Sequence, residues 1–184
     1  MIDLVPWSDG DLWVVERILS DPAMMEHLGG AQSHEQILDA HSRYLDSGRS
    51  GTGGMFTLVV RPDSQVVGNI GYWDKPWRDE VVYETGWMVF PEYQGRGLAS
   101  EALAMLIARI RLEHVRRFLH AFPEVGNAPS NALCRRAGFT NLGDLEFEYP
   151  PGHLLRCNDW RLDLWAAPDD LGPVTADPTP GPQG

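Results

Sequence analysis

The segment from Gln94 to Ala99 has the residue types that point most directly to chemistry. It reads Gln-Gly-Arg-Gly-Leu-Ala and lies between an apolar stretch, Val81 to Phe90, and a stretch with helical apolar spacing, Ala99 to Glu113. A glycine-bearing turn that opens a helix directs backbone N–H groups at an anion, and the helix dipole adds partial positive charge. Arg96 would add a side-chain charge. The sequence therefore predicts a pyrophosphate-binding turn.

Two common phosphate-binding motifs fit this turn poorly. The P-loop ends in Gly-Lys-Ser/Thr, whereas this turn ends in Gly-Leu-Ala. The dinucleotide fingerprint requires a third small residue at a fixed step and an acidic residue farther along the chain, and the strand predicted at Arg117 to Phe122 offers no such acid at its end. A nicotinamide-nucleotide-binding protein is therefore the weakest of the alternatives.

A second block of residues follows the turn and gives a better match. Asn127 to Phe139 carries Asn-x-x-Ser and then Gly-Phe, in order and at the matching distance after Gln94-x-x-Gly97-x-Ala99. Together the two blocks resemble the GNAT superfamily of N-acetyltransferases, and the resemblance extends from Ile2 to Leu164. The segments Asp21 to Gly30 and Glu84 to Trp87 are similar to the branch that contains ribosomal-protein alanine N-acetyltransferases and several antibiotic acetyltransferases.

The resemblance implies that acetyl-CoA is the acyl donor. It implies that the backbone of the turn binds the pyrophosphate and that the preceding strand pairs with the pantetheine arm. Asn127 matches a position that often hydrogen-bonds this arm, although a helix cap explains this residue equally well. The cofactor-binding positions expected on this basis are Trp87, Met88, Val89, Gln94, Gly95, Arg96, Gly97, Leu98, Ala99, Asn127 and Ser130.

Two residues are candidates for proton transfer. Glu84 lies two positions before Gly86, where this branch often carries a carboxylate, so it is the candidate general base; the alternatives are that it forms a salt bridge or that it only orients the substrate. Cys134 occupies a position at which many family members have a tyrosine that acts as general acid. A thiol can donate a proton, but a cysteine in a helix more often packs in the core.

The acceptor implied by the resemblance is a primary amine, either of a small cationic molecule or of a protein N-terminus. Trp77, in a segment with several carboxylates, is the candidate acceptor contact, because aromatic faces and carboxylates attract cations. Homodimers are common in this branch. The alternative from another class is a non-catalytic acyl-CoA-binding or regulatory module on the same fold.

Composition sets limits on partners and location. The chain has 184 residues and a formal net charge of −11, which disfavours nucleic-acid backbones and favours cationic partners. No run of 18 apolar residues is present, so we expect no membrane association and a cytoplasmic location. Two cysteines and scattered histidines predict no metal site. Residues 1–166 are expected to form one domain, and residues 167–184 a flexible tail rich in Pro, Gly and Asp.

The elements that must position these residues predict an α/β fold. We expect a mixed, mainly antiparallel central sheet, splayed where CoA enters, with helices on both faces. Ser33 and Gln36 form a capping-box pattern for a helix to about Leu45. Asp74 to Glu80 is expected to be a loop, and Gly68 a bulge. The predicted strands are 2–5, 55–61, 65–73, 81–90, 117–122, 139–148 and 154–164, and the predicted helices begin near 9, 33, 99 and 127.

Overall fold

The fold is given by a computed structural model that describes residues 1–50, 53–148, 152 and 154–166. The predicted tail at 167–184 lies outside the described residues. The strands are β1 (Ile2–Pro6), β2 (Gly53–Val60), β3 (Gln65–Trp77), β4 (Glu80–Val89), β5 (Phe118–Ala121), β6 (Thr140–Glu148) and β7 (Leu154–Asp163). The helices are α1 (Leu12–Leu19), α2 (His34–Ser50), α3 (Leu98–Glu113) and α4 (Ala128–Arg136), with short 3-10 turns at Asp9–Asp11, Glu26–Leu28 and Pro91–Tyr93.

The seven strands form one sheet in the order β1-β2-β3-β4-β5-β7-β6. All neighbouring pairs are antiparallel except β4 and β5, which α3 connects as a crossover between parallel strands. The predicted meander of β2, β3 and β4 and the mixed, mainly antiparallel sheet are confirmed.

The hairpin between β3 and β4 differs from the prediction. β3 continues to Trp77, which pairs with Glu80, so Asp74 to Trp77 are strand residues and only Arg78 and Asp79 form the turn. The charged composition of this segment suggested a loop, but cross-strand pairing with a β-branched partner segment, Val81 and Val82, keeps it extended.

Gly68 lies at an irregularity of the sheet, as predicted. Leu58 pairs with Gly68 while Val59 pairs with Val66, so one extra residue of β3 forms a bulge. A Cβ atom at Gly68 would lie 2.0 Å from the carbonyl oxygen of Met88. Only glycine therefore allows β4 to approach β3 this closely at the end of β4.

The helix α2 starts with the predicted capping box and ends later than predicted. The Ser33 Oγ accepts from the Gln36 N–H at 3.3 Å, and the Gln36 Oε1 accepts from the Ser33 N–H at 2.8 Å. The helix then passes Leu45 and reaches Ser50. An ion pair between Asp46 and Arg49, one turn apart, supports this last turn. The single glycine within this turn lowers helix stability by only about 1 kcal/mol relative to alanine.

Helices pack on both faces of the sheet and create two hydrophobic cores. On one face, α3 and α4 bury Leu103, Leu106 and Leu133 against strand residues such as Tyr83. On the other face, α1 and α2 form a second core, to which Met25 belongs. None of the described helices is long and apolar enough to cross a membrane.

The sheet is splayed between β4 and β5. These strands pair only at Tyr83 with Leu119 and at Glu84 with His120. Beyond Glu84 the two strands diverge, so the edge of β4 that would face β5 is unpaired from Thr85 to Val89. Free backbone N–H and C=O groups on this edge are available to a ligand with peptide-like groups.

Candidate functional site

Two adjoining cavities lie at the splay. The inner cavity has a volume of about 210 Å³ and extends between the sheet and the helices α1 and α2. The outer cleft has a volume of about 790 Å³ and extends to the start of α3 and to α4. Both are lined by the six residues Met24, His27, Trp87, Met88, Asn127 and Ser130, which therefore form the wall where the two cavities meet.

The outer cleft contains the predicted anion-binding turn. Gly95 and Gly97 have φ values of 72° and 78°, and Gly97 precedes the first residue of α3 with no side-chain cap. A Cβ atom at either glycine would meet nothing within 4 Å, so the space above the turn is open. Leu98, Ala99 and Ser100 line this space, and their N–H groups lack intrahelical partners because they belong to the first turn. This arrangement fits a pyrophosphate.

The two long side chains of the turn point elsewhere. The Gln94 Nε2 donates to the Val89 carbonyl oxygen at 2.9 Å, which fixes the turn to the end of β4. The Arg96 guanidinium donates to the Glu92 carbonyl oxygen at 2.7 Å, stacks 5.2 Å from the Tyr93 ring centre and does not line the cleft. The expected positive charge is instead available from Arg136 on α4, which does line the cleft and which the sequence analysis missed.

The remaining cofactor positions also lie at the cleft. Trp87, Met88 and Val89 lie on the open edge of β4 and line it. The Asn127 Oδ1 accepts from the Ser130 N–H at 3.1 Å, so this residue caps α4. Because Asn127 also lines both cavities, the two explanations considered for it, helix cap and ligand contact, are compatible.

Glu84 lies in the inner cavity with its side chain 14% exposed. Its Oε2 accepts from the Lys75 Nζ at 2.9 Å and from the Trp73 Nε1 at 3.1 Å. The carboxylate is thus held in one orientation by two donors on β3, and the Lys75 ammonium offsets its charge.

Most of the inner cavity is apolar. Two carboxylates, of Glu84 and Glu124, are among its lining residues, and each has a basic partner. The apolar lining comes from α1, α2, the segment that follows α1, the strands and the segment after β5, and includes Ile18, Leu19, Met24, Leu28, Met55, Trp73, Phe122 and Leu155 with the ring of Tyr44. The cavity therefore suits a ligand with an apolar group and one polar end better than a ligand with several charged groups.

Trp77 lies behind this cavity and not in its lining. Its ring packs edge-on against Phe122 at 4.8 Å, and its Nε1 donates to the Asp159 Oδ2 at 3.3 Å. Asp159 and its partner His120, with 2.6 Å between Oδ1 and Nδ1, are both buried. Trp77, the predicted acceptor contact, therefore packs against Phe122, and it is Phe122 that lines the cavity.

Cys134 is placed in the core and lines neither cavity. Its side chain is fully buried on α4 among apolar residues that include Leu133 and Phe139. Burial raises the pKa of this thiol to about 12, so it holds its proton tightly. Of the two interpretations considered for Cys134, packing in the core fits this position and proton donation does not, because the thiol has no access to the cleft.

A histidine–carboxylate pair at the junction was missed by the sequence analysis. His27, in the 3-10 turn Glu26–Leu28, places its Nδ1 2.5 Å from the Oε2 of Glu124, which follows β5. About a third of each side chain is exposed, 35% and 31% respectively. The two residues are 97 positions apart, so no sequence spacing signals the pair.

Both members of this pair lie on well-fixed segments. The Asn131 Nδ2 donates to the carbonyl oxygens of Glu124 and Asn127 at 2.9 and 2.8 Å, while its Oδ1 accepts from Asn158 and Trp160. On the other side, the Met25 carbonyl oxygen accepts from the N–H groups of Leu28 and Gly30, and Met25 itself is buried. The geometry of the His27–Glu124 contact is therefore set by the fold.

Comparison with known proteins identifies the family of this chain. The family model for the acetyltransferase (GNAT) domain matches residues 2–140. The chain belongs to the GNAT acetyltransferase family. An uncharacterised N-acetyltransferase of Bacillus subtilis, YnaD, is 25% identical over 158 residues, which cover 85% of this chain and 86% of that protein. As a member of this family, the chain is an N-acetyltransferase.

Solved structures of other acetyltransferases share the fold of this GNAT protein. One from Salmonella typhimurium, which modifies the N-terminal serine of ribosomal protein L7/L12, has a TM-score of 0.72 at 18% identity and covers 88% of this chain and 94% of its own. The spermidine N-acetyltransferase of Vibrio cholerae, in complex with CoA and spermine, has a TM-score of 0.72 at 15% identity and covers 89% and 95%.

Proposed function

We propose that residues 1–166 transfer the acetyl group of acetyl-CoA to a single primary amine whose neighbouring group is apolar. The observation that carries this proposal is the junction of the outer cleft with the inner cavity at the splay of β4 and β5. A donor in the cleft and an acceptor in the cavity would meet at that junction, which converts a bimolecular reaction into one between oriented groups.

The outer cleft supplies the binding groups for the donor. The N–H groups at the start of α3 receive the pyrophosphate, with Arg136 as the nearby cation, and the open edge of β4 pairs with the pantetheine arm. Acetyl-CoA supplies an activated thioester when it is bound. A backbone N–H of the unpaired part of β4 is available to stabilise the negative charge that develops on the carbonyl oxygen.

The inner cavity supplies the selectivity for the acceptor. A polyamine requires several free carboxylates, whereas Glu84 is engaged by Lys75 and Glu124 by His27. Glu84 would orient the acceptor amine from one side while the apolar walls contact the adjoining group. A protein N-terminus or a small amine, each with one apolar substituent, therefore fits this cavity better than a polycation does.

A panel of amines tests this function. The purified full-length chain is incubated with acetyl-CoA and one amine at a time, and release of free thiol is followed. The panel contains short peptides with free apolar N-termini, the same peptides with blocked N-termini as controls, apolar monoamines and spermidine.

We expect free apolar N-termini or apolar monoamines to be acetylated with kcat/KM at least about tenfold above that of spermidine, a difference of about 1.4 kcal/mol in transition-state binding. Thiol release with spermidine alone would contradict the proposed acceptor class. Thiol release with none of the amines, despite binding of acetyl-CoA, would contradict the enzymatic function and favour the alternative of a non-catalytic acyl-CoA-binding module.

A further inference from the structure

The wall between the two cavities contains one titratable side chain. Of the six residues that line both cavities, five are Met24, Trp87, Met88, Asn127 and Ser130, and the sixth is His27. Glu84, the carboxylate that the sequence offered as general base, lines only the inner cavity. His27 is therefore the titratable side chain that lines both the cavity proposed for the acceptor and the cleft proposed for the donor.

The partner of His27 fixes which ring nitrogen carries the proton. An ionised carboxylate only accepts hydrogen bonds, so the contact with the Glu124 Oε2 requires a proton on Nδ1. In the neutral ring the Nε2 then holds a lone pair, and within the described residues no hydrogen bond engages this atom. This is the arrangement of a general base whose tautomer is set by a carboxylate.

We propose that His27, held by Glu124, takes the proton from the acceptor amine and passes it to the departing thiolate. This inference rests on the proposed acetyl transfer. As the bond between the nitrogen of the neutral acceptor amine and the acetyl carbon forms, that nitrogen loses one proton to Nε2 of His27. As the bond between that carbon and sulfur breaks, the same proton moves from Nε2 to sulfur, which yields the amide and free CoA thiol. His27 would thus act first as the general base and then as the general acid. Cys134 is too deeply buried to act as that acid.

Other charged groups face this position and shape its pH dependence. Glu26 neighbours His27 on its own turn and lines the cleft, and Arg136 faces it from α4. The Glu84–Lys75 pair and Cys157 lie on the strands. Burial, and then the charge of Glu124, raise the pKa of the Cys157 thiol to about 11, so this thiol stays protonated through neutral pH and does not compete as a base.

The main test compares pH profiles of kcat for the wild type, His27→Gln and Glu84→Gln, with His34→Gln as the matched control. His34 is an exposed histidine at the start of α2 that lines neither cavity. His27→Gln should lower kcat about 100-fold and remove the rise of kcat with pH that a general base confers, while the Kd of acetyl-CoA changes less than about threefold. Glu84→Gln should mainly raise KM for the amine and keep that rise, and His34→Gln should match the wild type.

Two further measurements keep the proposal decidable. Glu124→Gln should move the rise in activity to lower pH, since a neutral amide stabilises the imidazolium less than a carboxylate does. Nitrogen-15 NMR of the full chain should show the proton of neutral His27 on Nδ1, a readout that needs no acceptor. A His27→Gln enzyme with the wild-type profile, or an NMR spectrum with the proton on Nε2, would overturn the proposal even where acetyl transfer itself is demonstrated. Should His27→Gln not fold, the Glu124→Gln profile and the NMR spectrum decide.

Discussion

The two cysteines differ in position but share a suppressed reactivity. Cys134 belongs to α4 and lies in the core, and Cys157 lines the inner cavity while only 2% exposed. Burial is the main cause that raises the pKa of both thiols, to about 12 and about 11. Because alkylation requires the thiolate, the reactive fraction of either thiol at pH 8 is about one in a thousand or less.

We therefore expect the folded chain to resist thiol reagents. At pH 8, alkylation by iodoacetamide should be at least about 100-fold slower than that of glutathione, and mass spectrometry should find both cysteines modified only after unfolding in guanidinium chloride. Rapid modification of either cysteine in the folded protein would contradict the described burial. The same property means that a thiol-release assay reports CoA and not the protein.

Residue positions were predictable from sequence only where the determinants are local. Gly97 before α3 and the Ser33–Gln36 capping box depend on neighbours within a few positions, and both lie where the sequence placed them. The His27–Glu124 contact joins distant segments, so no local pattern predicts it. Cys134 was expected, from the family resemblance, to replace a tyrosine, and its side chain lies in the core.

At the scale of elements, the strand–turn–helix unit from β4 to α3 contains the proposed anion-binding turn. Gly97 adopts a left-handed conformation immediately before α3, and a Cβ atom there would project into the open space of the cleft. A side chain at this position would both strain the backbone and occupy volume that a pyrophosphate requires.

Gly97→Ala should raise the Kd of CoA about tenfold or more, while strain lowers the free energy of unfolding by about 1 kcal/mol. Gly143→Ala is the matched control: Gly143 also has a positive φ, 112°, with nothing within 4 Å of an added Cβ, but it lies in β6 and lines neither cavity. Calorimetry for Kd and chemical denaturation for stability provide the two readouts. Equal CoA affinity in Gly97→Ala and the wild type would refute the assigned role of the turn.

The end of β3 is the element that the sequence analysis predicted wrongly. Charged residues from Asp74 onward suggested a loop, whereas β3 continues to Trp77 because β4 pairs with it from Gly68 to Trp77. This extension brings Lys75 within 2.9 Å of Glu84, and the ammonium of Lys75 offsets the charge of this candidate base. The register of a hairpin depends on where its turn lies. An error of a few residues in the predicted turn therefore concealed the contact between Lys75 and Glu84.

At the scale of the whole molecule, the sheet order explains why the site lies where it does. Strand β7 inserts between β5 and β6, and β5 pairs with β4 at only two positions before the strands diverge. The order of helices and strands predicted the fold class, because hydrophobic periodicity and turn residues determine the elements. The two cavities and their common wall depend on side chains from distant segments and became apparent only in three dimensions.

The central claim, that the outer cleft binds acetyl-CoA, is tested most directly by calorimetric titration of the full-length chain. We predict binding of one acetyl-CoA per chain with a micromolar Kd, similar binding of CoA, and much weaker binding of NAD, because the turn before α3 fits the dinucleotide fingerprint poorly. Tighter binding of NAD than of acetyl-CoA, or no heat of binding with either CoA compound, would contradict the account.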